Sequence, residues 1–256
     1  MPRPSPCAHL LAGLLLCLGA SATPASDDPS TRARRILDHV DDLFRGDSSR
    51  GEAEMTIKTE HWTRTLELEF WSKGKERSLI RILAPEKEKG TATLKVGTDL
   101  WNYLPKVKRV VKLPSSMLSA SWMGSHLTND DLVKESRMAE DYTYEVAFEG
   151  ERDGVQVYEI VCIPKPEAAV VWGKVVVRVR QQDSIPLAVE FYDEDMDLAR
   201  TIVYSDVQRL GGRALPTTLT VVPADEPGEL TRIHYQDITF DVGLPDDLFS
   251  LRTLQR

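Results

Sequence analysis

The sequence predicts a mainly β protein, in which a curved antiparallel sheet forms an unclosed, half-open β-barrel with a few helices as a lid over a hydrophobic cavity. Three observations lead to this class. Apolar and polar residues alternate with a period of two through much of the chain after Glu52. The strand-like runs follow one another at even spacing, without the intervening helices that a parallel sheet needs. Between them, the stretch Leu113–Asp131 reads as neither strand nor helix. It carries Met117, Leu118, Trp122, Met123 and Leu127 among five serines, with almost no charge before Asp130. Solvated loops are richer in charge, so this one is expected to lie against an apolar surface. It is either a long crossover packed on its own core or a Met- and Trp-lined mouth of a cavity, methionine being able to adapt its shape to varied partners.

Met1–Ala22 stands apart. Arg3 near the amine, the apolar run Leu10–Leu18 and the small residues Ala20-Ser21-Ala22 have the layout of a cleaved secretory leader. The run is too short for a stable membrane-spanning helix. The expectation is therefore a leader over residues 1–22 and one domain over residues 23–256. Removing the leader takes Cys7 and Cys17 with it, leaves Cys162 alone and allows no internal disulfide. Cys162 falls in the apolar run Tyr158–Ile163 and reads as a buried, inert thiol. With 32 Lys and Arg against 40 Asp and Glu the net charge is −8. Such a surface is a poor match for nucleic acid, which is excluded as a partner.

The elements follow in order. Asp27 or Asp28 can cap a first helix, Pro29 suits its first turn, and Ile36, Leu37, Val40, Leu43 and Phe44 recur at helical spacing before Gly46 stops it. Trp62, Leu66, Leu68 and Phe70 share one face of a strand. Ser78–Leu83 is another, and Thr91–Val96 and Leu100–Leu104 form a hairpin through Gly97-Thr98-Asp99. Lys106–Leu113 is a further strand, with Arg109 on its apolar face beside Val107 and Val111. After the central stretch, Thr128 can cap a helix whose first turn holds Asp130 and Asp131. Strands resume at Tyr142–Phe148, Val155–Ile163, Val170–Arg180, Leu187–Tyr192, Ala199–Gln208, Ala214–Val222 and Glu229–Phe240, ahead of a terminal turn at Pro245–Phe249. These runs number twelve. A curled sheet of this kind has an inner face that its own side chains do not fill, and helices across its mouth leave room for a ligand.

Catalytic and metal signatures are missing. No histidine sits in a zinc-binding motif. Asp193, Asp195 and Asp197 imitate a calcium loop, but Leu198 stands where glycine is needed and Tyr204 where the bidentate Glu is needed. Ser121, Ser125 and His126 lack a nucleophile elbow. The sequence points to binding rather than turnover, with no cofactor and no metal. Arg109 is the polar residue of most interest, because a guanidinium on an apolar face needs a carboxylate, carbonyls or a ligand headgroup.

Trp101-Asn102-Tyr103-Leu104-Pro105, Arg109, Ser119–Ser125 and Thr128–Leu132 resemble the bacterial family of outer-membrane lipoprotein-sorting proteins, a branch of the lipoprotein-carrier (LolA/LolB-like) superfamily. Val171–Lys174, Glu190–Asp195, Ser205–Val207, Pro223–Asp225 and Phe249–Leu251 extend the likeness over nearly the whole mature chain. His126-Leu127 depart from the branch's pattern. The resemblance implies an unclosed barrel with a helical lid, and a periplasmic carrier holding lipoprotein acyl chains or other lipids on their way toward the outer membrane. It also implies an inner-membrane transporter as donor and an outer-membrane acceptor. Trp101, Tyr103, Arg109, Met117, Trp122, Met123 and Leu127 are the expected ligand contacts. Two alternatives are a non-catalytic periplasmic partner subunit of an inner-membrane lipid exporter and a lipid or glycan hydrolase using Ser125 or His126.

Overall fold

The computed structural model describes residues 1, 28–134, 138–168 and 170–255. The expected leader and its cleavage position lie outside the described residues. Thirteen antiparallel strands form one sheet: β1 (Ser48–Lys58), β2 (Thr63–Lys73), β3 (Arg77–Ala84), β4 (Ala92–Val96), β5 (Asp99–Leu104), β6 (Arg109–Lys112), β7 (Tyr142–Arg152), β8 (Val155–Pro164), β9 (Lys174–Arg180), β10 (Pro186–Tyr192), β11 (Leu198–Leu210), β12 (Arg213–Pro223) and β13 (Leu230–Phe240). The helices are α1 (Pro29–Leu43), α2 (Asn129–Lys134), α3 (Met138–Asp141) and α4 (Leu251–Leu254).

The expected class is correct: the sheet is antiparallel throughout and does not close. The strand count exceeds the expectation. Ala53, Met55 and Ile57 alternate with polar neighbours and form β1 as a strand of its own, and Pro105–Val107 is a turn of 3-10 helix that shortens the sixth strand to Arg109–Lys112.

The strand order is β6-β5-β4-β3-β2-β1-β13-β12-β11-β10-β9-β8-β7. The chain therefore makes two meanders that join where β1 pairs with β13. Strands β6 and β7, the two edges, are consecutive in sequence. The segment that links them, Leu113–Asp141, has to travel from one edge of the sheet to the other. This crossover contains the serine-rich stretch, and its apolar residues follow from that path.

Helix α1 carries the expected stripe. Ala33, Ile36 and Leu37 bury against Tyr142, Ile160, Val175 and Val177 of the β7–β9 side of the sheet. Burying Ile36 and Leu37 is worth about 1.5–3 kcal/mol each, so packing rather than propensity holds the helix. Gly46 takes φ +59° just beyond it, a conformation that favours glycine. Arg213 of β12 donates to the carbonyl of Asp42 at 3.0 Å and so holds the C-terminal end of the helix. Among the described residues, no helix is long and apolar enough to cross a membrane.

Cys162 is buried in the α1 side of the core, where burial pushes its thiol up to about 12. It stays protonated and unreactive near neutrality.

Candidate ligand cavity

The crossover is folded tightly on itself. The backbone N–H groups of Trp122 and Asn129 donate to the carbonyls of Leu127 and Ala120 at 2.7 and 3.0 Å. The Asn129 side chain, buried, donates to the carbonyls of Met117 and Ala120 at 3.1 and 3.0 Å. Thr128 and Asp131 then cap α2 reciprocally: the Thr128 N–H and hydroxyl donate to Asp131 Oδ2 at 2.7 and 2.9 Å, and the Asp131 N–H donates back to Thr128 Oγ1 at 3.2 Å. This box starts the helix where the sequence places it.

Three strands anchor the crossover from outside. Arg64 of β2 reaches the Met123 carbonyl and pairs with Glu88 at 2.7 Å. Thr231 of β13 accepts the His126 N–H at 3.0 Å and contacts its Nδ1 at 2.8 Å. From β11, Arg200 donates to the His126 carbonyl at 3.1 Å and to both carboxylate oxygens of Asp131. Arg200 is only 4% exposed. Its guanidinium sits against Trp172 and Phe191, 4.7 and 4.5 Å from their ring centroids, a geometry that adds cation–π attraction in a desolvated place.

Under these anchors lies a cavity of about 300 Å³, at the small end of the usual range for ligand pockets. Its walls come from three sources. Helix α1 supplies Leu37, Val40 and Phe44. The crossover supplies Trp122, Leu127 and Leu132, and the sheet supplies Phe70, Ile80, Val189, Leu219 and Ile233. Polar groups line it as well: Ser49 and Ser72 share a hydrogen bond of 2.8 Å, Asp131 pairs with Arg200 and Asp41 with Arg45, and Ser78, Asp130 and Asp141 complete the set. The Arg200 Nε–H is buried with no acceptor from the described residues.

Of the seven residues expected from the sequence, Trp122 and Leu127 line this cavity. Trp122 also packs on Met55, Ile57, Leu66, Leu68 and Ile82, and its indole N–H donates to Thr93 Oγ1 at 3.1 Å. Met123 takes φ +53° and packs against the same cluster without lining the cavity. Met117 is exposed on the turn before it. Trp101 and Tyr103 face the other way: they pack with Trp71, Leu79 and Leu94 under the C-terminal Phe249 and Leu254.

Arg109 is exposed. Register places it opposite Leu104, on the face that Asn102 and Thr93 share and to which Trp122 is bonded. The face expected from alternation is therefore the one found. The residue lies on the outermost strand, beyond the crossover's cover, and that explains its exposure. Arg200 and Arg45 are the guanidinium groups that line the cavity. A period-two signal pointed to the first, since Arg200, Ile202 and Tyr204 alternate along β11 and all three line the space.

Ser125 and His126 have structural employment. Ser125 Oγ donates to the Trp122 carbonyl at 2.7 Å and accepts the Leu127 N–H at 3.2 Å. His126 Nε2 lies 3.2 Å from Glu229 and 3.4 Å from Glu226, the one set among the described residues whose donor atoms could hold a metal ion. The Glu60 backbone N–H, together with His126, keeps the Glu229 carboxyl below the ordinary glutamate range. Asp193 Oδ1 accepts the N–H groups of Asp195 and Asp197 at 3.0 and 2.9 Å, so these acids shape a β10–β11 turn, as expected.

A family model described as an uncharacterized protein matches residues 74–256. The crystal structure of a DUF1329 family protein from Desulfovibrio piger matches with 27% identity and a TM-score of 0.80, over 89% of this chain and 99% of that one. The chain belongs to the DUF1329 family. Two further solved structures share its fold. A LolA superfamily protein from Nitrosomonas europaea has 26% identity and a TM-score of 0.73, over 86% and 98% of the two chains. A domain from Vibrio parahaemolyticus, described as an outer-membrane lipoprotein-sorting protein, has 25% identity and a TM-score of 0.75, over 88% and 96%. No curated protein matches the chain. The family match begins at Gly74, between β2 and β3.

Proposed function

We propose that this DUF1329 protein is a non-catalytic periplasmic carrier, with residues 1–22 removed as a leader and residues 23–256 acting as one lipid-binding domain. It takes an acyl chain of a lipoprotein or another lipid into the cavity between α1, the crossover and the sheet, for transfer toward the outer membrane. The observation that carries this reading is the apolar space itself, walled by Phe44, Trp122, Leu127, Leu219 and Ile233. An acyl chain gains about 0.8 kcal/mol for each methylene it buries there. The likeness to lipoprotein-sorting and LolA superfamily structures supports the same reading. Arg200, with its spare Nε–H beside the apolar walls, is the donor best placed for a polar headgroup. Opening requires the crossover and α1 to part, since both stand over the same space. An inner-membrane transporter as donor and an outer-membrane acceptor complete the proposed route.

Titration of the delipidated protein with a fluorescent fatty acid tests the site. Leu219→Trp fills part of the space and is expected to weaken binding at least tenfold while leaving the thermal midpoint within a few degrees. Unchanged affinity in that variant would place the probe elsewhere and show that the cavity is not the binding site.

A further inference from the structure

The margin of the sheet at β6 is unlike the rest of a chain with net charge −8. Between positions 106 and 112, Lys106, Lys108, Arg109 and Lys112 supply four cations and there is no acidic residue. Lys112 pairs with Asp99 at 2.7 Å and stands over the Trp101 ring. Lys106, Lys108 and Arg109 have no acidic partner within 4.0 Å among the described residues and project into solvent. Interleaved with them are exposed apolar side chains: Val107 at 59%, and Leu104 and Val111 at 43% each.

The backbone explains why these residues stand out. The 3-10 turn Pro105–Val107 and the left-handed Lys108 (φ 51°) make the tip of the β5–β6 hairpin, so Lys106, Val107 and Lys108 lie on a protrusion. Behind it, Leu104 and Arg109 oppose each other, and Val111 opposes Asn102. These three share the face to which Trp122 of the crossover is bonded through Thr93. The patch is thus the uncovered outer lip of the concave face, and the crossover departs directly from it at Leu113.

We propose that this lip is a membrane-docking surface for anionic phospholipid. Basic side chains interleaved with exposed aliphatic ones match the chemistry of an acidic headgroup layer over acyl chains: the lysines and Arg109 meet phosphate, and Val107, Leu104 and Val111 enter the interface. The local positive charge overcomes the repulsion that the negative remainder of the chain would feel at such a surface, and orients the concave side toward the lipid. This deepens the carrier reading and rests on it for its purpose, because docking at the lip brings the cavity wall to the source of cargo.

Flotation of the full mature chain with vesicles tests it. The protein is expected to float with phosphatidylglycerol-rich vesicles at low salt, to lose most of that association in 0.5 M NaCl, and to ignore phosphatidylcholine vesicles. Lys106→Glu/Lys108→Glu/Arg109→Glu should reduce flotation roughly tenfold or more, and Val107→Ser by a smaller factor, both with an unchanged circular dichroism spectrum and thermal midpoint. Equal flotation with both vesicle types, no flotation, or a charge-reversed variant that floats like the wild type would each overturn the proposal. An acidic protein as the true partner would appear as the second of these. Fatty-acid uptake measured without vesicles reports separately on the cavity, so a failed lip and a failed carrier are told apart.

Discussion

Asp131→Ala lowers the unfolding free energy by about 3–5 kcal/mol, because it leaves the Arg200 guanidinium buried between Trp172 and Phe191 without its counter-charge. The same substitution removes the carboxylate that caps α2 at Thr128, so helix and anchor are lost together. Asp131→Asn separates the two contributions: the amide oxygen can still accept from Thr128, while the charge is gone. Its expected cost lies between wild type and the alanine variant. Arg200→Met in the Asp131→Ala background should recover part of the loss, because an apolar side chain then replaces an uncompensated ion. Denaturant unfolding of the four proteins checks this. A cost below about 1 kcal/mol for Asp131→Ala would be typical of an exposed pair and would contradict a buried anchor.

Trp122→Ala is expected to cost about 3–5 kcal/mol, and it should also change what the cavity does. The indole packs on Met55, Ile57, Leu66, Leu68 and Ile82, and it forms part of the cavity wall. Truncation enlarges the space and frees the crossover from β1–β3. Faster exchange of a bound fatty-acid probe should then accompany the loss of stability. Trp122→Phe keeps most of the apolar contact and loses the bond to Thr93 Oγ1, so about 0.5–1.5 kcal/mol is expected. Calorimetry with stopped-flow release of the probe reads both quantities. Normal exchange in the alanine variant, despite its lower stability, would make Trp122 a core residue with no part in gating.

Much of the fold was legible because local pattern and tertiary role coincide. The α1 stripe, the alternation of β2 and the Thr128 cap all name their burial partners' geometry in advance. The crossover was recognisable by its missing charge, and two of its residues, Trp122 and Leu127, do line the cavity. The misplacements share one cause: alternation gives a face, not a cover. Trp101 and Tyr103 alternate toward the opposite face, and the covering group there is the C-terminal Phe249–Leu254 segment, far away in sequence. Arg109 lies on the cavity-side face but on a strand the crossover leaves bare. Arg200 is buried by Trp172, Phe191 and Asp131, none of them its neighbour in the chain. Strand order supplies those facts, and a single sequence does not contain the order.

The measurement that bears most directly on the central claim is mass spectrometry of lipid extracted from the mature chain, expressed in its native envelope and purified gently. A carrier should yield a co-purifying lipid or acylated protein close to one per chain, lost in the Leu219→Trp variant. A clean, empty wild-type protein that also refuses added fluorescent fatty acids would contradict that role, and would make the cavity a packing feature of a docking subunit.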